Sequence, residues 1–85
     1  MSGATEIRSV VGKVLRQLRV DRGLTQEGLG HAAGLHRTYV GSTERGERNV
    51  SIEALNRWLH AVNISWDEFG AHVDRALRGS SVMGW

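Results

Sequence analysis

Eighty-five residues without a single Cys make one domain with a modest core, burying only about 60 to 65% of the unfolded surface, and exclude a disulfide framework, a thiolate nucleophile and a cysteine-based zinc site. No apolar run approaches the roughly 20 residues of a membrane span or the about 7 to 15 of a signal sequence, so a soluble, unexported, cytoplasmic protein with no membrane partner is expected. The net charge of +2 is uneven: residues 1 to 50 carry eight basic and five acidic side chains, residues 51 to 85 three and four, which gives the first part a surplus suited to an anionic partner.

Ile7, Val10, Val11, Val14, Leu15 and Leu18 recur at helical spacing and lay an apolar stripe along a first helix that stops at Gly23. Arg8, Lys13, Arg16, Arg19 and Arg22 fill the rest of its surface or its margin, and Arg16 is a candidate phosphate contact.

Thr25 then offers a hydroxyl as N-cap, and Gln26 and Glu27 occupy a first turn where the helix dipole favours an acid. Leu29, Ala32 and Ala33 continue the pattern, predicting a second helix over Gln26–Ala33. Gly34 supplies the positive-φ stop, and Leu35 can fold back on the preceding turn. A third helix is predicted from Arg37 to Arg45, ended by Gly46, with Val40 and Thr43 inward and Arg37, Thr38, Gly41, Ser42 and Arg45 outward. Two helices joined by such a turn form a helix-turn-helix, whose second member can lie in the major groove of DNA. On that helix Arg37 can bond guanine O6 and N7 and Thr38 can meet thymine, with Ser42 one turn further on, making these three the base-reading candidates.

Ser51 is the expected N-cap of a fourth helix carrying Ile52, Leu55, Leu59 and Val62, with Trp58 beside them as core rather than as a stacking platform. Ser65 and Glu68 form a capping box opening a fifth helix, along which Trp66, Phe69, Val73 and Leu77 share one side. These four are the expected dimer interface, with Trp66 and Phe69 also suited to completing the core. Residues 1–78 are thus expected to form the domain with a C-terminal dimerisation helix, and 79–85 a flexible tail.

The run R-T-Y-V-G followed by E-R-G-E-R-N-V-S, with L-R-Q-L-R, R-G-L-T-Q-E, A-G-L and S-I-E-A-L in order, resembles the phage-repressor-like or Xre family of helix-turn-helix regulators. Within it the likeness is greatest to the controller proteins of restriction-modification systems, and it extends from about Val11 to Phe69. The resemblance implies an all-α, five-helix lambda-repressor-like fold. It further implies an Arg19–Glu44 ion pair bracing the first helix on the third, a phosphate-gripping Gln26, an Arg48 that reaches DNA, and pairing of two chains through the last helix. Thr43 stands where the family carries an aliphatic residue, so its hydroxyl is expected to find a partner, the carbonyl four residues back. Gly30, at a small-residue position between the two motif helices, departs mildly, and Gly28 departs where a helix former is usual.

Tyr39 can lay its ring along the sugar-phosphate edge or pack on Leu35, and Arg45 and Arg48 flank the exit turn, where each can contact phosphate or pair with Glu44 or Glu47. His36 is placed near the DNA and joins the phosphate set of Arg16, Gln26, Tyr39, Arg45 and Arg48. The rival of an enzyme has no support: no catalytic motif appears, and His31 and His36, five apart, are poor metal ligands. No metal, cofactor or small-molecule effector is expected. The expected partners are a pseudo-palindromic double-stranded DNA operator, a second copy of the chain and, as a further candidate, RNA polymerase. The competing use of the same fold is an antitoxin-type or adaptor module that binds protein instead.

Overall fold

The computed structural model describes residues 3–79, with side chains from Glu6 onward, and holds α1 (Gly3–Asp21), α2 (Gln26–Ala33), α3 (Arg37–Glu44), α4 (Ile52–Ala61) and α5 (Trp66–Arg78). Among the described residues there is no strand. Nor, among these residues, is any helix long and apolar enough to cross a membrane.

Each boundary follows from a local hydrogen bond. Thr25 Oγ1 accepts from Gly28 N–H at 2.9 Å, Ser51 Oγ from Ala54 N–H at 3.0 Å, and Ser65 and Glu68 make both halves of the capping box at 3.0 Å. Gly34 stops α2 at φ 69°, a left-handed conformation that costs glycine nothing, and Leu35 N–H bonds back to Gly30 O at 2.8 Å. The start of α3 is capped by an imidazole: His36 Nδ1 accepts from Thr38 N–H at 3.0 Å.

Leu15, Leu29, Val40 and Trp58 are wholly buried and, with Leu18, Leu59, Val62 and Phe69, bind the helices round one core. α1 packs on α3 and α5, α2 on α3 and α4, and α4 on α5. Trp58 is 0% exposed, which removes it from any contact with nucleic acid, and its indole N–H has no hydrogen-bond partner among the described residues. Of the apolar stripe on α1, Val10, Val14, Leu15 and Leu18 are buried, while Ile7, near the start of the helix, is left partly in solvent.

Three expectations are corrected. Phe69 and Leu77 are 7% and 8% exposed within a single chain, because α5 turns this side onto α1, so they are core and not free for a second copy. Val73 is half-buried against the same core, while Trp66 stays exposed, edge-on to Phe69 at 6.3 Å, with its indole N–H on Asn56 Oδ1 at 2.9 Å. The Thr43 hydroxyl does not reach the carbonyl four residues back; it is buried without a hydrogen-bond partner, and that carbonyl, Tyr39 O, takes the Ser42 hydroxyl at 3.2 Å instead. Gly30 is no mild departure, since a Cβ there would run into the Leu35 carbonyl, so the tight turn itself requires a bare Cα. The tail expected to be flexible lies, beyond Gly79, outside the described residues.

Candidate nucleic-acid interface

The first turn of α3 presents Arg37 and Thr38 to solvent, and no hydrogen bond or ion pair holds Arg37 among the described residues. A guanidinium left unpaired at the tip of a helix keeps all five donors for a ligand. Arg16 on α1 is also exposed, and no ion pair holds it among the described residues. His36, exposed at the cap, uses Nδ1 as acceptor, so the neutral ring carries its hydrogen on Nε2 and has one donor left for an anion.

Behind this edge sits the network that holds the motif to α1. Arg19 Nε and Nη2 grip Glu44 Oε2 and Oε1 at 2.6 and 3.0 Å in a fork, and Nη1 reaches Leu24 O at 2.7 Å. The side chains are 10% and 2% exposed, so the pair is almost dry. Two charges removed from water hold their positions only if such bonds satisfy them, and here they fix the C-terminal end of α3 against α1. Glu44 has a second duty that the sequence did not reveal: its Oε1 also accepts from Gln26 Nε2 at 3.0 Å. The Gln26 carboxamide is therefore oriented by the buried ion pair, with its second N–H left over, at the first position of α2 where backbone N–H groups are also free.

Ser42 is not an outward base reader. It is 7% exposed, its hydroxyl donating to Tyr39 O and accepting from Arg48 Nε at 2.6 Å. The cause is the chain after Gly46, which folds back so that Arg48 lies over this side of α3. The Arg48 guanidinium stacks 4.7 Å from the Tyr39 ring centroid, and the Tyr39 hydroxyl accepts from Ser51 N–H at 3.0 Å, keeping its own hydrogen to donate. Tyr39, half-buried, thus links the reading helix to the start of α4. Gly41, also expected outward, is buried beneath neighbouring side chains.

Arg45 is exposed but engaged: Nε and Nη2 bond Glu47 Oε2 and Oε1 at 2.9 and 3.2 Å. Hydrogen bonding to Arg45 holds the Glu47 carboxyl below the usual range, and the same bond raises Arg45. Among the phosphate candidates Arg45 and Gln26 are the two bonded to a carboxylate, Arg45 at an exposed one and Gln26 at the buried Glu44.

Sequence reasoning missed Gly12. A Cβ on it would lie 2.5 Å from Thr43 O and 2.8 Å from Glu44 O, so this bare point on α1 is what lets the end of α3 come close enough for Arg19 to clasp Glu44. The only signal was a glycine inside a strongly helical, apolar-striped segment.

A family model described as helix-turn-helix matches residues 15–69, the span that contains every element of this surface from Arg16 to Ser51. The chain belongs to the helix-turn-helix family. Within it, the control protein C.SmaI of Serratia marcescens is 42% identical over 60 residues, 71% of each chain, and the control protein C.BamHI of Bacillus amyloliquefaciens is 37% identical over 59 residues, 68% of this chain and 73% of that one. Among solved structures, the wild-type restriction-modification controller protein C.Esp1396I superposes with a TM-score of 0.84 at 28% identity, covering 94% of this chain and all of the other. C.AhdI from Aeromonas hydrophila gives 0.70 at 42% identity, over 73% and 94%. The C.Esp1396I tetramer has been solved in complex with its natural 35 base-pair operator. Solved single mutants of that protein replace an Arg, the Thr after it and the Tyr after that, the same succession that stands here at 37, 38 and 39.

Proposed function

We propose that the protein is a sequence-specific DNA-binding transcriptional regulator of the controller type, which lays α3 in the major groove and acts on its own promoter. The observation that carries this is the exposed, unpaired Arg37 beside Thr38 at the tip of a helix fixed from behind by the Arg19–Glu44 pair. Arg37 reads guanine by two parallel hydrogen bonds and Thr38 meets a neighbouring base, while Ser42 is withdrawn from that role and anchors Arg48. Arg16, Gln26, His36, Tyr39 and Arg48 grip phosphates, and Arg45 joins them by exchanging Glu47 for a phosphate. The relatives support this reading: C.SmaI and C.BamHI are control proteins, and C.Esp1396I has been solved on operator DNA.

Two copies are needed to place reading helices about 34 Å apart on successive major grooves of a pseudo-palindromic site. With Phe69 and Leu77 taken by the core, the apolar surface offered for pairing beside α5 is Trp66 (45% exposed), with Ile52 (68% exposed) one turn from Asn56, the residue bonded to the indole, and the rim of Val73; Ile7 and Val20 on α1 are the other exposed large apolar side chains among the described residues. Residues 1–78 would then serve as one unit that both reads DNA and pairs. Regulation follows protein concentration through successive filling of tandem sites, and RNA polymerase is the further partner wherever the bound protein activates. The protein works in the cytoplasm, where the DNA is, and has no catalytic role.

A gel-shift assay with the DNA upstream of the chain's own gene tests the reading. Retardation that survives excess unrelated duplex is expected, and no retardation even at low salt would favour an adaptor module. Sedimentation tests the pairing: a chain that remains monomeric at tens of micromolar removes the dimer.

A further inference from the structure

We propose that Gly41 is a positioning residue: its bare Cα sets where the Gln26 carboxamide and the Arg45 guanidinium lie, and so how they grip phosphate. The inference rests on the assignment of Gln26 and Arg45 to phosphates made above.

Gly41 lies on the same stripe of α3 as Thr38 and Arg45, three residues after one and four before the other, yet it is buried. What covers it is not core. A Cβ built there would stand 3.2 Å from Arg45 Nη1, 3.3 Å from Gln26 Oε1 and 3.7 Å from Gln26 Nε2. All three belong to the ends of two long side chains assigned to the DNA-facing surface, one reaching the glycine from α2 and the other from the C-cap of α3 itself.

The Gln26 amide is confined from the other side as well. Its Nε2 donates to Glu44 Oε1, and that carboxylate is clamped by Arg19 and cannot follow a displaced partner. Because a carboxylate only accepts, it also decides which end of the amide faces it, leaving Oε1 over Gly41. The carboxamide is held between an immobile acid and a stretch of helix with no side chain. A methyl group on residue 41 would require Oε1 to give way by a few tenths of an ångström, and the bond from Nε2 to the fixed Glu44 restricts how the amide can turn to make that room. It would also displace Arg45 Nη1, the end of the guanidinium that is not bonded to Glu47.

Nothing else in the structure asks for glycine here. Gly41 is not among the glycines with positive φ. Gly12 and Gly30 sit against backbone carbonyls that cannot move, whereas the neighbours of Gly41 are flexible termini that can. Glycine in a helix interior is poorer than alanine, so this position gives up helix stability in exchange for the placement of two side chains.

The test uses the full chain and the duplex retarded by it from its own upstream DNA, with Kd measured over a salt series for Gly41→Ala, Gln26→Ala, Arg45→Ala and their combinations. Gly41→Ala is expected to melt at or above the parent temperature yet bind about tenfold more weakly, the equivalent of one hydrogen bond to a charged group, with a shallower salt dependence. In the Gln26→Ala, Arg45→Ala background the same change is expected to cost less than about twofold, because the groups it displaces are gone. A tenfold loss that persists in that background would show residue 41 acting on DNA directly and overturn the proposal, as would parent-like binding or a lower melting temperature for Gly41→Ala. If instead Gln26→Ala and Arg45→Ala each bind like the parent, the phosphate assignment itself fails and takes the proposal with it.

Discussion

Replacing Glu44 by alanine strands a guanidinium. In the folded protein Arg19 spends its Nε and Nη2 on that carboxylate at 2.6 and 3.0 Å, and with its side chain 10% exposed it has little water to turn to. Only the bond to Leu24 O survives. Removing one partner of a buried pair costs about 3 to 5 kcal/mol, and a chain of this size is stable by only about 4 to 13 kcal/mol. At about 4 to 8 °C per kcal/mol for a domain of this length, the melting temperature should fall by about 12 to 40 °C. Far-UV circular dichroism during heating of parent and Glu44→Ala measures the shift. A control separates lost charge from lost shape: replacing both partners together, Arg19→Met with Glu44→Leu, should recover most of the loss, since apolar groups of similar volume leave no charge unpaired. A Glu44→Ala variant that melts with the parent would refute the assignment of the pair as the brace between α1 and α3.

Gly12→Ala should lower the melting temperature although alanine is the better helix former. Its Cβ would lie 2.5 and 2.8 Å from the Thr43 and Glu44 carbonyls, and forcing two backbones apart costs about 1 to 3 kcal/mol; an unchanged or raised melting temperature would contradict the close crossing. Thr43→Val should do the opposite, stabilising by about 1 kcal/mol or more, because it removes a buried hydroxyl that has no partner and keeps the shape; a lower melting temperature would show that the hydroxyl is bonded. Glu68 has its carboxyl lowered from the usual 4.5 chiefly by the Ser65 backbone N–H it accepts. The unfolded chain therefore takes up this proton first as pH falls, so the capping contribution is complete above about 4.5 and disappears as pH drops through the lower folded value. Melting curves of parent and Glu68→Ala should accordingly differ at neutral pH and converge in acid, and a gap that widens in acid would reverse the sign.

The element boundaries were legible because they are local. Thr25, Ser51, Ser65 with Glu68, and Gly34 each act on a backbone group within a few residues, and the structure uses all of them. The Arg37–Thr38 tip was legible for the same reason, since the first turn of a helix points where its cap directs it. The flank of α3 was not. A helical wheel placed Ser42 outward, but the loop after Gly46 brings Arg48 back over it, and no periodicity within α3 contains that information. The face of α5 failed likewise: Phe69 and Leu77 were known to share a side, but only the packing of α5 on α1 decides that this side is already covered. Thr43 was recognised as a hydroxyl in an apolar place, yet the carbonyl it was to use had a nearer donor in Ser42. Gly12, Gly30 and Gly41 differ in what they meet, and a glycine in a sequence says only that something is near, not whether it is a carbonyl or the end of a glutamine.

That the guanidinium at position 37 reads a base in the major groove is tested most directly by selecting bound duplexes from a randomised pool with the parent and with Arg37→Ala. The parent should return a two-fold-related motif in which one guanine per half-site is lost in the variant while the other positions persist, at a cost of about 1 to 3 kcal/mol at that base pair. An unchanged motif, bound equally more weakly at every position, would place Arg37 on the phosphates and contradict base reading.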